Sequence, residues 1–242
     1  LEQWEKMGTF ISVMKHESPD KSFFNAVLYL HNNNFEQASI HINKARDLLA
    51  NEITALVSES YNRAYNVIVR VQMLAELEEI IRYKSYPQGS PKRAAIRDTW
   101  NKRLLGCQKN VDIWQRMLKV RSLVIKPKDD MEMWIKFSNL CRKSSRLGLA
   151  ERSLNSLLND NLSNKAPPHV VYAQLKYMWS RNQKQEALTH LIDFTSKLSK
   201  DLNLNESNVI TQPLPKVLPG GTEDAEPYTK LLLSLIHISE PT

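Results

Sequence analysis

Apolar residues recur along this chain at intervals of three and four, the spacing that gathers them on one face of an α-helix. The pattern is clearest from Asp129 to Asn159. Trp134, Phe137, Ser138 and Cys141 form one stripe, Leu147, Ala150, Leu154 and Leu157 form a second, and a polar turn separates them. This predicts an antiparallel helix pair. The first helix starts near Asp130, with Asp129 as its cap and Glu132 reaching back, because carboxylates favour the positive end of the helix dipole.

The same order of large and small residues returns as Phe35, Ala38, Ile42 and Ala45, as Tyr61, Ala64, Ile68 and Val71, and in degenerate form as Ala187, Leu191 and Phe194. It resembles the tetratricopeptide repeat, in which a small residue lets two helices approach and large ones fill the groove. The intervals between the alanines are irregular, so the expected fold class is all-α, an irregular TPR-like α-solenoid of antiparallel helix pairs. A plain helical bundle yields similar offsets and stays open as the alternative.

In chain order, Trp4 to Met14 reads as an amphipathic helix. Ser18 caps the next, with Pro19 in its first turn and Phe23, Val27 and Leu30 as its buried stripe. Asn32 to Asn34 form a turn, and Phe35 to Ala50 return. No breaker separates Asn51 from Tyr83, where two further helices are expected to meet near Ser58, with Tyr61, Ala64, Tyr65, Ile68 and Leu74 facing inward. Tyr86 to Pro91 is a loop. Ser90 caps a helix carrying Ile96, Trp100, Leu104 and Leu105 that ends around Gly106. Val111, Trp114, Leu118 and Val124 mark another that runs to Lys126-Pro127. Asn161 to Pro168 reads as a loop, Pro167-Pro168 opens a helix with Val171, Leu175 and Trp179, and Glu186 to Leu198 returns.

This divides the chain into a helical-repeat segment over 1–202, a disordered or variable loop over 203–227, and the start of a further helix over 228–233. Residues 234–242 resemble translated sequencing-adapter read-through and are expected to be foreign to the natural protein. Since Leu1 is not an initiator, the chain reads as a fragment of something longer.

Composition agrees with a helical chain: 242 residues carry only six glycines. No run reaches eighteen apolar residues and no charged-then-apolar leader is present, so neither a transmembrane segment nor secretion is expected. Cys107 and Cys141 lie in helical patterns and are expected as buried reduced thiols, which fits the cytosol or nucleus. The net charge of +7 is spread over most helices and reads as solvated faces rather than a nucleic-acid stripe.

The chemistry of catalysis is sparse. No Gly-rich phosphate loop, His-x-x-x-His pair, Cys-x-x-Cys pair or Gly-x-Ser-x-Gly elbow occurs. His41 and His190 read as surface or capping residues, and Glu76, Glu78 and Glu79 as one solvated face. Trp100, Trp114, Trp134 and Trp179 recur once per helical segment, as packing between helices requires. No catalytic residue and no metal site is assigned.

A resemblance then carries further than the pattern. Lys102-Arg-Leu-Leu-Gly106-Cys107-Gln108, Asp112-Ile-Trp114-Gln115, Val120-Arg121-Ser122-Leu123-Val124 and Leu147-Gly-Leu-Ala150 resemble the FAT region of the target of rapamycin (TOR) kinases, within the phosphatidylinositol 3-kinase-related protein Ser/Thr kinases. Leu1-Glu-Gln-Trp4, Ala45-Arg46-Asp47-Leu48-Leu49, Glu59-Ser60-Tyr61-Asn-Arg63-Ala64-Tyr65 and Glu76-Leu77-Glu78-Glu79 agree in the same order, to about Leu198.

The resemblance implies a non-catalytic scaffold that clamps a kinase domain lying further toward the C-terminus and supports complex assembly in growth signalling. The implied partners are that kinase domain in cis and TOR-complex subunits, with no direct nucleic acid. The implied location is cytoplasmic, with recruitment to endomembranes through complex partners or nuclear residence as variants. A free-standing TPR- or HAT-like adaptor, RNA-associated through its basic charge, is the alternative. The family's FAT region also looks built to bind inositol hexakisphosphate as a structural cofactor. The matching positions are Lys143 and Lys176, with Lys136 and Lys109 as neighbours, and a further basic residue expected after Leu233 is replaced by Ser234.

Overall fold

A computed structural model describes residues 2–15, 17–158 and 167–201. The described residues form ten α-helices and one 3-10 turn, with no strand among them. They are α1 (Glu2–Val13), α2 (Pro19–His31), α3 (Phe35–Glu59), α4 (Tyr61–Ser85), α5 (Pro91–Gly106), α6 (Val111–Arg121), the 3-10 turn Pro127–Asp130, α7 (Met131–Lys143), α8 (Leu147–Leu158), α9 (Pro168–Ser180) and α10 (Lys184–Asp201). The all-α fold of helix pairs is the one the spacing predicts. The segments 203–227, 228–233 and 234–242, and all but the last two residues of the loop expected from Asn161 to Pro168, lie outside the described residues.

The caps explain why the helices start where they do. Ser18 Oγ accepts from the Lys21 amide at 3.1 Å, Asn34 Oδ1 from Gln37 at 3.2 Å, and Ser90 Oγ from Lys92 at 3.3 Å. Asn110 takes both Asp112 and Ile113. Each satisfies an amide that the helix itself leaves without a partner. Asn33, at φ 57°, turns the chain between α2 and α3, and Ser145, at φ 59°, does so between α7 and α8.

The chain divides into two compact units, Leu1–Leu140 and Cys141–Thr242, with the division inside α7. In the first unit α1 packs on α2, α2 on α3 and α3 on α4, and α4 also meets α2, α5 and α6. Ala38, Ala45 and Ala64 are fully buried, as small residues at a close helix approach should be, and Ile42, Leu49, Leu74, Leu77 and Ile80 fill the space around them. In the second unit α9 packs on α8 and α10, over Ala150, Leu154, Leu157, Val170 and Ala173.

Several expectations are corrected. With no breaker at Ala50–Asn51, α3 runs on as one 25-residue helix, so the break falls at Ser60 and no separate helix begins at Asn51. Helix α6 stops at Arg121 rather than Lys126; the chain turns through Ser122, and Ile125 is buried beyond the helix. Glu132 does not act back on the start of α7 but pairs forward with Lys136, at 2.6 Å. Trp179 is 46% exposed rather than core, because α9 buries the face of Val170, Ala173 and Tyr177. Phe35 is half-buried, and the Tyr61 side chain lies outside the described residues. His41 leaves the polar surface to stack on Tyr29, ring centroids 5.2 Å apart.

The largest correction concerns Glu76, Glu78 and Glu79, which do not share a solvated face. Glu78 is exposed and meets Arg46 at 2.9 Å. Glu79 accepts two bonds from Arg103 and one from Trp100 Nε1, each 2.7 Å. Glu76 is fully buried against Arg121. On α4, Glu76 stands three residues after Met73 and four before Ile80, so it belongs to the apolar stripe and carries a charge into the core with it.

Candidate functional site

The basic residues singled out by the sequence fall on two helices and one connecting segment, and they keep different company. Lys109 follows α5, where its ammonium donates to the Leu105 carbonyl at 2.8 Å and lies 4.8 Å from the Trp114 ring centroid. Lys136, in the middle of α7, is held by Glu132. These two cations, both in the first unit, are engaged locally. Lys143 ends α7 in the second unit, is exposed, and has no ion-pair partner among the described residues. Lys176 on α9 is half-buried, its ammonium 4.0 Å from the centroid of Tyr172.

Lys176 lines a cavity of about 240 Å³ whose wall also contains Arg142, Tyr172, Leu175, Trp179 and Leu191. Lys143 is not part of that wall. The basic group that joins Lys176 there is Arg142, which the sequence reading passed over. Arg142 Nη1 donates to Ser180 Oγ at 3.0 Å, while its Nε is buried without an acceptor.

The helix ends do not use up this guanidinium. The last carbonyls of α7 are taken by the turn, Arg146 N donating to Cys141 O at 2.9 Å and Ser145 N to Arg142 O at 3.2 Å. Those of α9 are taken by Arg181, Asn182 and Gln183 amides. A buried guanidinium donor with no acceptor is costly unless an oxygen reaches it. A guanidinium and an ammonium on one wall suit a phosphate oxygen, which accepts from both. The cavity is smaller than the roughly 300–1,000 Å³ of sites that enclose a whole small molecule.

Other titratable groups point away from catalysis. Burial raises the Cys107 thiol above its ordinary range, which keeps it protonated and unreactive at neutral pH. Neither cysteine is in a disulfide; Cys141 is buried and Cys107 half-buried. No cluster of three metal-binding side chains occurs among the described residues. No helix among them is long and apolar enough to cross a membrane.

Comparison with known proteins gives this helical chain its place. The model of the FAT domain matches residues 1–237. The chain belongs to the FAT domain family. Serine/threonine-protein kinase TOR2 of Saccharomyces cerevisiae is 56% identical to this FAT chain over 238 residues, covering 96% of the chain and 10% of that protein. Serine/threonine-protein kinase mTor of Drosophila melanogaster is 42% identical over 210 residues, and Serine/threonine-protein kinase TOR of Arabidopsis thaliana 42% over 196. The chain thus spans about a tenth of the length of these kinases. A more distant likeness, 25% identity over 62% of the chain, is to the Serine/threonine-protein kinase ATR of rice.

Proposed function

We propose that this chain is the helical scaffold segment of a TOR-type Ser/Thr protein kinase. It carries no part in the phosphoryl transfer. Its helix pairs support the kinase domain in cis and offer surfaces to subunits of a signalling complex acting on growth, in the cytoplasm. The observation that carries this reading is the collinear FAT similarity to TOR kinases over nearly the whole chain. The free-standing adaptor reading gains nothing from the structure: Lys136, Lys109 and Arg103 are engaged by their own helices' neighbours rather than left to form a basic stripe.

We further propose that inositol hexakisphosphate is its structural cofactor, held in the second unit by Lys176 and Lys143, with Arg142 supplying the buried donor. When bound, the ligand contributes only negative charge and phosphate acceptors. The cations would otherwise repel, so the anion cements the helices that bear them. Lys136 and Lys109, in the first unit, are held by Glu132 and by the Leu105 carbonyl and take no part in this second-unit site.

The experiment is a melting curve of the chain at low salt with and without inositol hexakisphosphate. Ligand at a hundred times its dissociation constant raises stability by about 2.7 kcal/mol. That rise is expected here and should vanish in Lys143→Glu/Lys176→Glu. No rise, or one indifferent to those substitutions, refutes the placement.

A further inference from the structure

The first unit contains a second concavity that the scaffold reading does not use. Helices α1, α2, α4 and α6 converge on a bowl of about 650 Å³, well within the roughly 300–1,000 Å³ of small-molecule sites. Its wall is apolar: Trp4, Met7, Phe23, Met73, Leu74 and Val120 all face it. Trp4, Met7 and Phe23 are only partly covered by the fold, and neighbouring Phe24 is 39% exposed. Thioether and aromatic groups on three separate helices, α1, α2 and α4, give an adaptable lining that fits a flexible hydrocarbon.

The rim supplies the second half of the argument. Four charged residues face the bowl: Asp20, Arg70, Arg116 and Lys119. Arg70 is spent, since it holds Asp20 at 2.6 Å and Glu52 at 3.6 Å. Arg116 and Lys119 are exposed, stand three residues apart on α6 and so share one face, and have no ion-pair partner among the described residues. Two uncompensated cations beside an apolar bowl are complementary to an anion attached to an apolar tail. Helix α2 lines the bowl from Pro19 to Val27, and α1, α3, α4 and α6 complete its wall.

We propose that this bowl binds a single-chain anionic lipid, an acyl chain bearing a phosphate monoester, with its tail against Met73, Leu74 and Phe23 and its phosphate on Arg116 and Lys119. The site does not depend on the kinase-scaffold reading. It is tested by calorimetric titration of the whole chain with oleoyl lysophosphatidate below its micelle-forming concentration, against oleoyl lysophosphatidylcholine, which has the same tail and no net charge.

Saturable one-to-one binding is expected for the phosphate monoester, with the zwitterion about tenfold weaker, the order of one lost charge-assisted contact. Arg116→Glu/Lys119→Glu should abolish the difference between the two lipids. Met7→Glu, which places a carboxylate on the apolar wall, should weaken both. The three positions are exposed or half-exposed, and unchanged circular dichroism will show that the variants fold. The proposal is overturned by absence of saturable binding to monomeric lipid, the result expected if a bilayer surface or a partner's helix is the true occupant. It is equally overturned by equal affinity for the two lipids, or by affinities that neither variant alters.

Discussion

Arg121 on α6 reaches Glu76 on α4 through two hydrogen bonds of 2.9 and 2.8 Å, with 2% of the arginine side chain and none of the glutamate exposed. The guanidinium also lies 5.9 Å from the Trp100 ring centroid, so the pair is enclosed by the helices that α4 joins. Burial raises the Glu76 carboxyl above its ordinary range, against the opposing pull of Arg121. Such a pair fixes how α6 registers on α4 more than it adds stability, because removing two charges from water costs about what their attraction returns.

Breaking this pair should therefore be worse than deleting it. Arg121→Ala leaves a buried carboxylate without its cation and should cost about 3–5 kcal/mol in urea unfolding. Glu76→Leu with Arg121→Met replaces both by apolar groups of similar reach and should be close to neutral. Equal losses from the single and double variants would show that the ion pair itself holds the unit together.

Glu79, three residues on, should give stability an acid limit. Burial pushes its carboxyl up, but the hydrogen bonds from Arg103 and Trp100 outweigh this and leave it below its ordinary value of 4.5. A carboxyl depressed in the folded state contributes stability above its unfolded value and loses it as pH falls through the folded one. Glu79→Gln should thus cost about 1.5–3 kcal/mol at pH 7, the range for hydrogen bonds to a charged group. The difference from the parent should narrow as pH drops below 4.5. A difference that stays constant down to pH 3 would contradict the assignment.

His41 should act nearer neutrality. Burial and then the charge of Lys44 lower it from 6.5, and its Nδ1 is buried without a partner. The unfolded chain binds the extra proton first, so stability is full above 6.5 and declines as pH falls from there toward the lowered folded value. His41→Gln should flatten the stability profile between pH 7 and 5. A variant with the parent's slope would place the titration elsewhere.

The helix pattern was legible because apolar period, caps and turns agree: Ser18 and Ser90, each followed by a proline, cap the helices that follow them, whereas the caps at Asn34 and Asn110 emerge only in the structure. Glu76 was misread for a physical reason. Three acidic residues in four positions look like a wet face by composition, yet spacing alone sets Glu76 in the stripe with Met73, Leu77 and Ile80. Arg121 likewise follows Trp114 and Leu118 at helical intervals, and two opposite charges each on an apolar stripe are a readable sign of a buried pair. Arg142 was missed because a cation in the last turn of a helix is usually explained by the dipole. Only the occupied carbonyls at the ends of α7 and α9 show that its Nε is left over.

The scaffold reading is tested most directly by kinase activity in a chimera. In Saccharomyces cerevisiae TOR2, the segment matching this chain would be replaced by it and the purified kinase assayed on a protein substrate. The account predicts activity within a few-fold of the parent kinase, and its loss when Arg121→Ala is introduced into the grafted segment. A soluble chimera of normal helical content with no kinase activity would contradict it.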